Sequence, residues 1–173
     1  LAALVLAVAG VVLGVGAAPG RAATTTRIDV VQVAGLIDPP NVDLIRTSLA
    51  EAAEADSSLV VMQIAASGAV DVDVAALVRA VRDSEVPVAA WVGPSGGRAR
   101  GAAGVIALSA DVTAVAAGAR IGPLVPVSYD DPDGFRPASD LPDAPKPSRL
   151  TSTLQDFIAS LDGREIRGER ITT

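Results

Sequence analysis

The sequence predicts a layered α/β fold with a mostly parallel sheet, and three observations predict it. Strand-like runs alternate with amphipathic helical stretches, two of those runs are almost wholly apolar, and the turns between them are short. Continuously apolar strands belong to sheets covered on both faces, and a β-α-β succession with short turns closes right-handed crossovers. The core must be built from small aliphatic side chains. Half of the 173 residues are hydrophobic, yet they include only one Trp, one Tyr and two Phe. That length suits one domain.

Residues 1–18 carry no charge and consist almost wholly of Leu, Ala, Val and Gly. Pro19-Gly20 ends any helix there, and Gly20-Arg21-Ala22 sets small residues at the −3 and −1 positions of a signal-peptidase site. Residues 1–22 therefore read as a signal peptide. The alternative is an N-terminal membrane anchor, since such an apolar stretch just spans a bilayer. The domain proper is expected over 23–173, exported to the extracytoplasmic face of the cytoplasmic membrane.

Residues 27–33 (RIDVVQV) alternate apolar positions and are rich in β-branched side chains, which predicts a strand. Asp38-Pro39-Pro40-Asn41 interrupts it. Asn41 is the expected cap of a helix carried to residue 55 by Val42, Ile45, Leu49, Ala52 and Ala53. Residues 58–64 (SLVVMQI) form a buried strand, closed by a turn at Ala66-Ser67-Gly68-Ala69. A second helix is expected over 72–81, then a third strand over 86–92 (VPVAAWV), in which Trp91 reads as core. The bend Gly93-Pro94-Ser95-Gly96-Gly97 leads into a small-residue helix over 99–109, and short strands over 111–116 and 120–121 flank Gly118. Residues 123–148, rich in Pro and Asp, read as a long exposed loop. A last helix over 150–161 stops at Asp162-Gly163.

Missing residue types narrow the chemistry. Without His there is no Ser-His-Asp triad and no His-ligated metal, and without Cys no thiolate nucleophile, disulfide or iron–sulfur ligation. A net charge of −6 and a pI near 4.5 exclude a generic nucleic-acid binder. Asp130-Asp131-Pro132-Asp133 lacks the ligand spacing and terminal Glu of a calcium loop and reads as solvated. Gly96-Gly97 before Arg98 and Arg100 lacks the Lys-Ser/Thr ending of a phosphate cradle, so a tight strand-to-helix turn explains it better. No metal or cofactor is implied.

Three stretches together resemble the NfeD-like, Clp-protease-class membrane-associated serine proteases. They are VVQVAGLIDPPNVDLIRTSLAEA from residue 30, WVGPSGGRARGAAGVIALSADVTAVAAGARIG over 91–122, and APKPSRLTSTLQDFIASL before the C-terminus. The resemblance implies the Clp-protease/crotonase fold and a Ser-Lys dyad. It also implies a stomatin-like membrane protein as partner, cut in its apolar C-terminal tail, and it is compatible with a homo-oligomer.

Carried over residue by residue, the family's nucleophile position falls on Gly101 and its general-base position on Arg149. Glycine has no hydroxyl, and a guanidinium keeps its proton above pH 12. The resemblance thus implies a degenerate member with a binding or scaffolding role. The family's oxyanion turn falls on residues 65–69, with Gly68 and Ala69 as oxyanion or peptide-binding positions. The alternative is an active endopeptidase with a relocated dyad. Ser95 and Lys146, the only lysine, are its best candidates, ahead of Ser67 and Ser109. A crotonase-like acyl-CoA enzyme is a third reading, disfavoured by export.

Overall fold

The computed structural model describes residues 27–124, 149–151 and 153–173. The expected signal peptide or anchor and the acidic, Pro-rich stretch from residue 125 lie outside them. Strand β1 (Ile28–Ile37) is followed by α1 (Pro39–Glu54), β2 (Leu59–Ala69), α2 (Val74–Arg82) and β3 (Val88–Val92). Next come β4 (Arg98–Ala99), α3 (Ala102–Ser109), β5 (Val112–Ala116) and β6 (Arg120–Ile121). Strand β7 (Arg149–Thr151), α4 (Leu154–Ala159) and the hairpin β8 (Glu165–Ile166) and β9 (Glu169–Arg170) complete the chain.

Five strands form one sheet in the order β1-β2-β3-β5-β7, every pair parallel. This is the expected α/β fold. The order advances in one direction, so right-handed crossovers place α1, α2 and α3 in one layer. α1 packs on β1, α3 packs on β2, and α2 touches both helices. The central strands bury nearly every residue, with Leu59, Val60, Val61, Met62, Val88, Ala89 and Ala90 all at 0% exposure. At the β1 edge one face stays open: Val30 and Leu36 are 49% and 44% exposed while Val31, Val33 and Ile37 are buried.

Helix α3 is buried on all sides, as an apolar all-round helix must be. Its Gly104 permits the fit. A Cβ there would lie 2.6 Å from Leu124 Cδ2 and 3.0 Å from the Ala99 carbonyl oxygen. On the C-terminal side, Phe157, Leu161, Ile166 and Ile171 join the same core.

Several boundaries correct the sequence expectation. Asp38, not Asn41, caps α1: its carboxylate accepts the Asn41 N–H at 3.1 Å, and Pro39 and Pro40 fill the first turn, where no N–H is needed. The expected turn over 66–69 is strand, because β2 runs on past the end of β3. The third helix begins at Ala102, since residues 98 and 99 pair with β6 instead. The last helix begins at Leu154, capped by Thr153, because residues 149–151 add a strand alongside β5. The β8–β9 hairpin was not foreseen.

Candidate functional site

In open α/β sheets ligands collect beyond the carboxyl ends of the strands, and here β2 overruns its neighbour β3 at that end. Its last residues find a new partner. Ser67 bridges Arg100 in parallel, the Gly68 N–H donates to the Arg100 carbonyl at 3.0 Å, and the Arg100 N–H donates to Ala66 at 3.2 Å. Between these strands the chain leaves β3, bends over 93–97, runs through β4 and turns sharply into α3 at Gly101.

Gly101 is buried and has φ +53° and ψ −127°. A side chain in that conformation is strained, so glycine suits it. A strand, a strained single residue and a helix N-terminus form the elbow on which α/β hydrolases mount a nucleophile. Such an elbow needs small neighbours two residues to either side, and Ala99 and Ala103 supply them, both at 0% exposure. The Gly101 N–H donates to the Pro123 carbonyl at 2.8 Å.

The Arg100 carbonyl also accepts the Ala103 N–H at 3.2 Å. One carbonyl therefore engages a strand-edge donor and a helix-start donor together. Ala102 opens α3, where helix geometry provides its N–H with no intrahelical acceptor and the dipole favours negative charge. Gly68 has φ +71°, the left-handed region, whereas Ala69 lies outside it. Ala69, the second expected oxyanion position, therefore carries no positive-φ strain. Leu36 lies beside Gly68, its Cδ2 3.7 Å from where a Cβ would stand.

The other sequence candidates fall elsewhere. Arg149 is the first residue of β7, in register with Ala114, on a strand that runs on into residues 150 and 151, where the last helix was expected to begin. Lys146 lies outside the described residues. Ser95 is exposed in the bend between β3 and β4. Ser67 is half-buried on β2, and the buried Ser109 donates its hydroxyl to the Ile106 carbonyl at 2.7 Å. Trp91 is 3% exposed, in the core as expected. Among the described residues no group of three or more acidic side chains could hold a metal ion, and no helix is long and apolar enough to cross a membrane.

Sequence reasoning missed the doubly engaged Arg100 carbonyl, which leaves no trace in side-chain identity. It also missed that Arg98 on β4 stands in register with Arg120 on β6. The alternation Arg98-Ala99-Arg100 was its available signal, a strand pattern inside a stretch assigned to helix.

No family model and no curated protein matches the chain. Solved structures do. One is the 1510-N membrane-bound stomatin-specific protease, as a lysine-to-alanine mutant in complex with a substrate peptide. It is similar at TM-score 0.70 and 18% identity, over 86% of this chain and 88% of that one. Its serine-to-alanine mutant gives 0.68 and 16%, over 85% and 92%. The 1510-N membrane protease specific for a stomatin homolog, from Pyrococcus horikoshii, gives 0.62 and 19%, over 84% and 85%. At such identities the likeness establishes the fold, that of a Clp-like protease.

Proposed function

We propose that this chain is a non-proteolytic peptide-binding domain of the NfeD-like, Clp-class type. It works at the extracytoplasmic face of the membrane on an apolar segment of a stomatin-like protein. The observation that carries this reading is Gly101: the backbone keeps the strand–elbow–helix geometry of a nucleophile mount, and the residue on it has no side chain. An acyl transfer needs a nucleophile and a base to take its proton. Gly101 offers no oxygen, and Arg149 at the family's base position stays protonated. The engaged Gly68 N–H supports the same reading, since an oxyanion hole needs donors free to meet developing charge. What such a site retains is a helix start and the half-exposed Leu36 beside Gly68.

The test pairs binding with turnover. Purified protein should bind fluorescent apolar peptides in anisotropy titrations, leave them uncut over long incubation and take no label from a fluorophosphonate. Steady peptidase activity and labelling, both abolished by Ser95→Ala, would establish the relocated dyad instead.

A further inference from the structure

Arg98 on β4 and Arg100, which follows it and bridges Ser67, are exposed on either side of the buried Ala99, so the alternation of extended backbone puts both on one solvent face. Arg120, exposed on β6, is the register partner of Arg98. Like charges facing each other across a ladder destabilise it unless an anion intervenes. The described residues supply none: their two ion pairs are Arg27–Asp29 and Arg167–Asp111. On a chain of net charge −6, Arg98 and Arg100 thus lie in the segment that enters the Gly101 elbow, and Arg120 stands opposite Arg98 on the neighbouring strand β6.

We propose that Arg98, Arg100 and Arg120 form a docking strip for an extended peptide segment bearing carboxylates at alternate residues. The spacing favours that ligand. Alternate residues of a strand lie about 6.6 Å apart, which is also the spacing of alternate side chains on an extended peptide. Each guanidinium can take a carboxylate through two parallel N–H bonds. A lipid surface fits less well. Membrane-binding faces set apolar side chains among their basic ones, and the exposed large apolar residues among those described, Val30, Leu36 and Leu44, belong to β1 and α1. The strip deepens the proposed function and rests on it in one respect: the acidic run is taken to flank the segment held at the elbow.

The experiment uses one apolar peptide in three versions, with a flank of alternating Glu, Gln or Lys, titrated by anisotropy at low salt. The Glu version should bind about tenfold more tightly than the Gln version, the sum of a few exposed ion pairs. Higher salt should erase that gain. In R98Q/R120Q the gain should vanish while the Gln version binds unchanged, and in R98E/R120E the preference should turn to Lys. Equal binding of Glu and Gln versions would overturn the strip while leaving the peptide-binding function standing. So would a Glu gain that survives R98Q/R120Q. Arginine-dependent sedimentation with phosphatidylglycerol vesicles, with no peptide preference, would overturn it in favour of lipid. If an acidic peptide without the apolar part binds through the arginines and the Gln version does not, the strip stands and the elbow reading falls. If no peptide binds, both fall.

Discussion

The indole N–H of Trp91 donates to the hydroxyl of Thr151 at 2.9 Å, which ties β3 to β7 across the intervening β5. An indole can only donate, and Trp91 is 3% exposed, so a lost acceptor cannot be replaced cheaply by water. Thr151→Val keeps the shape and removes the acceptor. It should cost about 1–3 kcal/mol in urea unfolding, the penalty of a buried unpaired donor. Thr151→Ser should recover most of that, and an unchanged midpoint for the Val variant would show that the bond contributes nothing.

Trp91 also explains Gly93. A Cβ on Gly93 would stand 2.4–2.6 Å from three atoms of the indole ring, while its backbone lies outside the positive-φ range. Gly96 is the reverse case, with open space around a Cβ and φ +81°. Gly93→Ala should therefore act by overpacking, costing about 1–3 kcal/mol and shifting the emission of the single tryptophan. Gly96→Ala should cost about 1 kcal/mol through backbone strain and leave the emission in place. Equal spectra for both variants would remove the contact argument.

The sheet was legible in the sequence because its strands are buried on both faces, and runs such as LVVMQI signal that without tertiary information. Boundaries were legible only where local chemistry decides them. The start of α1 was misread because two candidate caps, Asp38 and Asn41, stand three residues apart. Only the geometry shows that Asn41 donates to the Asp38 carboxylate. Residues 149–151 carry no strand signal of their own and become a strand through pairing with β5. Gly101 was singled out through family resemblance, but the engagement of Gly68 and Ala103 by one carbonyl depends on backbone direction, which side-chain identity does not encode.

Arg167 shows the same limit. It occupies the β8–β9 turn at φ +52°, a conformation that suits Asn or Gly better, followed by Gly168 at φ +83°. Its guanidinium donates to Asp111 at 2.6 Å and to the carbonyls of Ser84 and Arg82, fixing the hairpin to the end of α2. Asp111 in turn accepts the Val88 N–H at 2.8 Å. Arg167→Asn separates the two effects by sign. Turn preference alone would make the variant more stable, whereas loss of the clamp should lower stability by about 1–2 kcal/mol, discounted for partial exposure. The midpoint of thermal unfolding decides between them, and a rise would make the clamp incidental.

The last prediction tests whether the elbow is a nucleophile mount with its nucleophile missing. Gly101→Ser places a hydroxyl at the start of α3, in a conformation that costs a non-glycine residue about 1–3 kcal/mol. That variant should unfold at lower denaturant and still take no fluorophosphonate, because a serine without a base is a weak nucleophile. Arg149→Lys supplies an amine that can give up a proton where a guanidinium does not, but alone it has nothing to activate. The double variant should label above either single one. Its rate should stay far below that of an evolved enzyme, since the Gly68 N–H is engaged by Arg100, and a missing oxyanion donor costs about 10²–10³ in rate. Background labelling in all variants, with folding intact by circular dichroism, would count against Gly101 and Arg149 as the vacant dyad. Labelling of the single Gly101→Ser variant would mean that another group supplies the base, and would free Arg149 from any part in the site.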